Sequence, residues 1–363
     1  MNFCHLHVHT EFSVLDGFGL LPKIVARAKE LGFEALALTD HATASGCNQF
    51  YNLCKAADIK PIIGCEMYFV DDCLVKPISK DEIDRTLLDH EPSEHAGIKE
   101  QIKAENSLRK KRDHITLLVA NETGYHNLMS IIADAHLIGA IEGGYGRMIG
   151  RTDWVALEKH HEGLIAMTAC SGGILSRPLK DDNYDLALDR ASKLDEIFKG
   201  NLYIEIMPIN DDDQRKCNLG LIDISNDTGI PMVATNDCHY IHKNEARTHD
   251  ILLAIQQGKA LDDPDLWSFS CRDLYMRTRQ EMEEAFGANH PGISDDIVRS
   301  ALDATCEIAA KITFDFPVAT QRLPNLDITQ SNGYDGFGKW KQAGGQLKLR
   351  ESIETLVVEG HEE

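Results

Sequence analysis

The chain repeatedly ends a strand-length apolar run on a histidine, an acid or a cysteine, and this recurrence constrains its fold more than any other feature. His7 and His9 close "NFCHLHVHT", with Asp16 just beyond; His41 follows "EALALTD" and Glu66 follows "PIIGC". Cys170 follows "GLIAMTA", and Asp237 and His239 follow "PMVATN". The runs alternate with stretches of helical periodicity, a pattern that builds a parallel sheet with its strand C-termini on one shared face. Active sites of alternating α/β chains assemble on that face. Metal-binding side chains brought there by several strands point to a polynuclear site and to hydrolysis, with phosphate as the group attacked.

Strand-like runs fall at 2–9, 34–39, 60–70, 114–121, 163–170, 202–207 and 231–237. Helical periodicity falls at 20–32, 47–59, 122–137, 182–198, 218–229 and 245–258. Seven strands alternating with helices predict an α/β chain that closes into a TIM-like barrel, one unit short of eight. An open doubly wound sheet is the alternative, but it would gather ligands at one switch point instead of from nearly every strand. Residues 71–113 break the rhythm; they are polar, end in the basic run Arg109, Lys110, Lys111 and Arg112, and read as a partly helical, mobile insertion. The barrel is expected over 1–285, a helical segment over 286–317, and a Gly-rich linker with a last charged helix over 318–363. No GxGxxG, P-loop or long internal repeat occurs.

Composition narrows the classes. The 363 residues are 43% hydrophobic, enough for one large core. No apolar stretch reaches the roughly 18 residues of a membrane span, and the first residues do not resemble a signal peptide. Ten cysteines without a CxxC pair favour reduced thiols in a cytoplasmic setting. The net charge of −21 argues against a protein whose main task is gripping duplex DNA. Contact with nucleic acid should therefore be local, or supplied by a partner.

His7 and His9 lie two apart on a strand, so both face the same way and can share an ion. Imidazole suits zinc and its neighbours, and carboxylates suit manganese as well. Glu66 has two oxygens with which to bridge two ions, and a metal would deprotonate Cys170. An isolated HxH or "TDH" is common and proves nothing. Their conjunction at separate strand ends carries the reading.

The segments "HLHVHTEFSVLDG", "LALTDHATASGCNQFY", "KPIIGCEMYF", "HITLLVANETGYHNL" and "TNDCHYIHKNEARTHDILLAIQQGKALDD" closely resemble the PHP (polymerase and histidinol phosphatase) domain. The resemblance extends over about 2–320 and is strongest to the form found at the N terminus of bacterial DNA polymerase III alpha subunits. It implies a distorted TIM-like (β/α)7 barrel of the PHP type, here with a C-terminal extension, holding two to three divalent ions of zinc, manganese or iron. Carried over motif by motif, the ligand set would be His7, His9, Asp16, His41, Glu66, His114, Cys170, Asp237 and His239. One ion would take His7, His9, Glu66 and Asp237; a second, Glu66, His114 and Cys170; a third, Asp16, His41 and His239. His114 opens its apolar run instead of following it, so the preceding loop is expected to deliver it. His5 stands where many relatives carry Asp, and reads either as a residue orienting a ligand or as a plain strand histidine.

The resemblance implies a metal-dependent phosphodiesterase acting as a 3′–5′ proofreading exonuclease on a single-stranded or mismatched DNA 3′ end. Asp16, Glu66 and Asp237 would be catalytic, with Arg177 on a non-bridging phosphate oxygen and Arg247 a weaker candidate. Arg177 reads equally well as a solvated helix arginine. No polymerase active site is expected in this chain, so it reads as a split or truncated alpha subunit or as a free-standing nuclease. Its partner would be a separately encoded polymerase remainder or another replisome protein, and no membrane. Two other readings stay open: a metal-stabilised scaffold supporting a polymerase in trans, and a small-molecule phosphatase of the histidinol-phosphate type.

Overall fold

The computed structural model describes residues 3–143, 148–269 and 271–316. The expected linker and last helix beyond 317 lie outside them. Elements follow in the order α1 (Leu21–Glu30), β1 (Ala35–Leu38), α2 (Cys47–Ala56), β2 (Lys60–Phe69), α3 (Lys80–Leu88), α4 (His95–Arg109), β3 (Asp113–Val119) and α5 (Glu122–Leu137). Next come three two-residue strands, β4 (Ile141–Glu142), β5 (Met148–Ile149) and β6 (Arg151–Thr152), then α6 (Trp154–His160) and β7 (Leu164–Met167). The rest are α7 (Ser176–Lys180), α8 (Tyr184–Phe198), β8 (Leu202–Ile206), α9 (Asp212–Thr228), β9 (Met232–Ala234), α10 (Ala246–Gln257), α11 (Arg279–Asn289) and α12 (Asp295–Lys311).

Local chemistry explains the elements. In α1 the apolar Leu21, Ile24, Val25 and Ala28 recur at helical spacing and are buried, and Pro22 sits in the first turn, where its missing N–H costs nothing. Gly32, at φ +74°, then turns the chain out of the helix. Strand β1 is buried along its whole length, which is why "ALAL" shows no polar alternation.

The main sheet runs β1-β2-β3-β7-β8-β9, and the N-terminal segment lies between its two edges. The Ala37 amide donates to the His5 carbonyl (3.0 Å) and the Thr39 amide to that of Val8 (3.0 Å). On the other side the His9 amide donates to the Cys238 carbonyl (2.8 Å) and the Cys238 amide to that of His7 (3.1 Å). These bonds close the ring into a distorted (β/α)7 barrel, not an open sheet. The first expected strand is not a regular one: among its described residues the ladder pairing is reduced to an isolated parallel bridge, Val8 with Cys238. Its bonds are split between two neighbours and a side chain, since the Val8 amide goes to Thr39 Oγ1 (2.8 Å).

Most of the barrel is parallel, but β3 pairs antiparallel with both β2 and β7. The insertion accounts for this. Parallel neighbours need a crossover that returns the chain to the opposite end, whereas the segment carrying α3 and α4 delivers it to the end it left. A loop was expected to carry His114; it is instead the second residue of β3, opposite Tyr68 of β2. Reversal of β3 brings its first residues to the same end as the C-termini of the other strands.

Candidate metal centre

At that end the nine residues form one contact network. His7 Nε2 lies 3.3 Å from Glu66 Oε1 and 3.4 Å from Asp237 Oδ1, and His9 Nε2 lies 3.3 Å from Glu66 Oε2 and 3.2 Å from Asp237 Oδ1. His41 reaches Glu66 Oε2 through Nδ1 (2.8 Å) and Asp16 Oδ2 through Nε2 (2.9 Å). His114 Nδ1 is 3.0 Å from Glu66 Oε1 and 3.7 Å from Cys170 Sγ. His239 completes the set, 3.5 Å from Asp237 Oδ1 and 3.7 Å from Asp16 Oδ1. Glu66 thus touches four histidines, two through each oxygen.

Three groups have all their ligand atoms within 4.8 Å of one another: His7, His9 and Glu66; His41, Glu66 and His114; His9, His41 and His239. The first matches part of the expected division. The other two place His41 beside Glu66 and His9 beside His239, so Cys170 and Asp16 stand at their edges.

Backbone conformation is unusual at the same place. Leu15, Ala42, Ala169 and Asp237 have φ of 63°, 48°, 62° and 44°, the left-handed region that L-residues avoid at about 1–2 kcal/mol each. Each is a site residue or the immediate neighbour of one, as is usual where function fixes a turn.

Supporting groups orient the ligands. Glu205, fully buried in β8, accepts from His7 Nδ1 (2.9 Å) and from Thr235 Oγ1 (2.8 Å). With Nδ1 holding the proton, Nε2 of His7 presents its lone pair to the cluster. Ser13 Oγ lies 3.0 Å from His9 Nδ1 and donates to Asp40 Oδ1 (2.7 Å), while His249 Nε2 donates to the Asp16 carbonyl (2.7 Å). Glu205 was not singled out from sequence. Its signal was a lone acid amid the apolar "LYIEIM", since a charge facing a core persists only when partnered.

The electrostatics are those of a site built for cations. Burial disfavours charge throughout, yet Glu205, Asp237 and Glu66 hold the His7 imidazole well above its usual range. Burial likewise opposes the charge of Glu66, but His114, His7 and His41 keep its carboxyl well below the carboxylate range. Burial, Asp237 and Glu66 push the Cys170 thiol up, so ligation by its thiolate requires a cation in place. His7 Nε2, His9 Nε2, His41 Nδ1, Glu66 Oε2 and Asp237 Oδ1 are buried and converge, facing one another as imidazole–carboxylate pairs at 2.8–3.4 Å without the angles of a hydrogen bond. Buried polar atoms are rarely left so. Donor types and spacing both fit ions held at about 2.0–2.2 Å by nitrogen and oxygen.

The other sequence candidates lie apart from the network. Arg177, at the start of α7, pairs through Nε with Asp113 Oδ1 (2.8 Å), the residue before His114. Arg247 is exposed on α10. Arg109 ends α4 and bonds Glu105 and the Lys76 carbonyl, whereas Arg112 lies 4.8 Å from the centroid of the Tyr68 ring. His5 bonds none of the nine residues: it accepts from the Arg277 amide (3.0 Å) and packs edge-on against Phe3 and Phe33. Its Nδ1 lies 3.5 Å from the Sγ of Cys238, the residue between Asp237 and His239.

A barrel whose mouth gathers nine side chains able to ligate metal, from several of its strands and loops, defines a class of α/β barrels suited to a metal centre. The chain belongs to the PHP domain family, whose model matches residues 5–208. It is 34% identical to a DNA polymerase III subunit alpha of Thermus aquaticus over 91% of its length and 24% of that protein's. It is 33% identical to that of Mycobacterium tuberculosis over 100% and 28%, and 35% identical to that of Treponema pallidum over 83% and 23%. The chain thus spans about a quarter of the length of these curated relatives. A solved amidohydrolase from Chromobacterium violaceum aligns with 66% of this chain and 88% of its own at 16% identity, with a TM-score of 0.36. That likeness is too slight to add to what the sheet itself displays. Among the described residues no helix is long and apolar enough to cross a membrane.

Proposed function

We propose that the chain is a metal-dependent phosphoesterase whose nine residues hold two to three divalent ions, of zinc, manganese or iron. The observation that carries this reading is the convergence of five buried ligand atoms, 2.8–3.4 Å apart as imidazole–carboxylate pairs yet without hydrogen-bond angles. The relatives then suggest the substrate: a DNA 3′ end, cleaved in the 3′–5′ direction as proofreading within the PHP portion of a cytoplasmic DNA polymerase III alpha subunit. Its partners would be the polymerase remainder and other replisome proteins.

When bound, the ions would supply a water nucleophile active at neutral pH and positive charge against the phosphate oxygens. The chain's own residues do the rest. Glu66 sits between two pairs of histidines and fixes the spacing of their ligand atoms. Asp16 and Asp237 hold His41, His9 and His239 in place and supply negative charge that retains cations. Arg177, anchored on Asp113 next to His114, would contact a non-bridging phosphate oxygen.

The test offers metal-loaded protein a primer with a mismatched 3′ end and, separately, histidinol phosphate. Nucleotide release from the primer alone, abolished by Asp237→Ala, is the expected result. Release equal in wild type and variant would mark a contaminating nuclease. Turnover of histidinol phosphate alone would replace the substrate, and stoichiometric metal without turnover of either would leave a scaffold.

A further inference from the structure

Two cavities adjoin at the metal-centre end of the barrel. The smaller, about 260 Å³, is lined by Asp16 and His41 of the cluster together with Tyr68, Met148 and Ile149. The larger, about 700 Å³, shares Ile149 with it and continues from Asp16 to Leu15. Among the described residues three cations, Lys110, Arg112 and Lys259, line the larger cavity against a single acid, Glu142. That inverts the balance of a chain with 58 acidic and 37 basic residues. Apolar side chains are exposed along the same path: Leu15 at 37%, Met148 at 54% and Ile255 at 61%. Tyr68 ties the two parts together, because its ring stacks on His41 (5.3 Å, 13°) and carries the Arg112 guanidinium.

We propose that these adjoining cavities form one groove that binds a single DNA strand and leads its 3′ end into the metal centre. Lys110, Arg112 and Lys259 would meet backbone phosphates, while Leu15, Met148 and Ile255 would meet the bases. Cations tracking a backbone beside apolar surface for bases are the means by which proteins hold single strands without reading sequence. The inner cavity, about 260 Å³, lies below the roughly 300–1,000 Å³ usual for small-ligand pockets, which leaves room for no more than one nucleotide. A locally basic groove also reconciles strand binding with a net charge of −21, since only the field close to the strand matters at physiological salt.

The direction of the strand rests on the phosphoesterase reading; the groove itself does not. The test is therefore a binding measurement: fluorescence anisotropy of a short, phosphorothioate-blocked oligothymidylate with manganese-loaded full chain. Wild type should bind at low salt, and Lys110→Glu with Lys259→Glu should weaken binding at least tenfold. The slope of log affinity against log salt should become shallower by roughly 1.4, about 0.7 for each phosphate that is no longer neutralised. Lys110→Glu alone, at an exposed position, should give about half that change in slope and guards against a folding defect at Lys259. Unchanged affinity in both variants, or displacement of the strand by polyglutamate as readily as by unlabelled oligonucleotide, would overturn the groove. A chain that binds the strand but cleaves nothing would sink the exonuclease and leave the groove standing.

Discussion

Two polar clusters meet at Asp113 and His114, and they are built on opposite principles. On one side Arg151, only 1% exposed, donates from Nε to the Gly139 carbonyl (3.0 Å) and from its two Nη atoms to those of Arg109, Cys73 and Val75 (3.1–3.3 Å). Arg190 beside it reaches Asp113, the Ile174 carbonyl and Asp71. On the other side five buried ligand atoms face one another at 2.8–3.4 Å without the angles of a hydrogen bond. The first cluster is framework: Arg151 ties the ends of the 71–113 insertion to the barrel. The second leaves its polar atoms aimed at a common space, an expensive arrangement unless something enters it.

That contrast breaks most easily at Glu66. Because it touches four histidines, Glu66→Ala should remove more metal than any single histidine change and abolish cleavage. Elemental analysis of reconstituted wild type should give two to three ions per chain. A Glu66→Ala protein with full metal content would end the distinction between the clusters. The converse test is Arg151→Met, which keeps the bulk and removes the donors. It should cost on the order of 3 kcal/mol by urea unfolding, since each carbonyl stripped of its donor costs about 1–3 kcal/mol and water reaches some of them. Its metal content should stay at the wild-type level.

The two clusters also differed in how legible they were. The metal side was written where apolar runs stop at a histidine or an acid, so His7, His41, Glu66 and Asp237 stood out, although β2 carries on past Glu66 to Phe69. His114 was found by resemblance, but its placement was misread because the direction of β3 depends on how the insertion returns the chain, which no local pattern encodes. The framework side was invisible. Arg151 bonds carbonyls scattered from Cys73 to Gly139, and a backbone acceptor carries no sequence signature. The short β4, β5 and β6 were missed for a similar reason: two residues are too few for periodicity. The helices expected at 20–32, 47–59, 122–137, 182–198 and 245–258 were read within a few residues of their ends; α9 begins at Asp212, well before its apolar stretch, and α6 and α11 were not singled out.

Glu205 sharpens the contrast further, because it belongs to the metal side yet has its partners. Glu205→Gln keeps the shape but no longer obliges His7 Nδ1 to carry the proton. Metal affinity, read by competition with a chelator, should fall about 10–100-fold, as when other groups behind a ligand are altered. An unchanged affinity would make Glu205 part of the framework.

The smallest effect concerns pH and separates the clusters by titration. Burial opposes charge on His239, but Asp237 and Asp16 raise its pKa to about 9, and His7 and His41 are shifted the same way. A histidine whose pKa is raised on folding contributes stability that is full below its unfolded value, about 6.5, and lost as pH rises through the folded value. The chelator-treated chain should therefore lose stability between about pH 6.5 and 9 in urea unfolding. Metal-loaded protein should not, because its histidines are already neutral ligands, and its affinity for the ions should rise over that window as fewer protons need to leave. Arg151→Met should shift both curves down without changing either shape, since no titrating group is lost. A chelator-treated chain with a flat profile from about pH 6.5 to 9 would mean that the histidines are not held charged by the carboxylates. The convergence of these ligand atoms would then need another explanation than a cation-binding site.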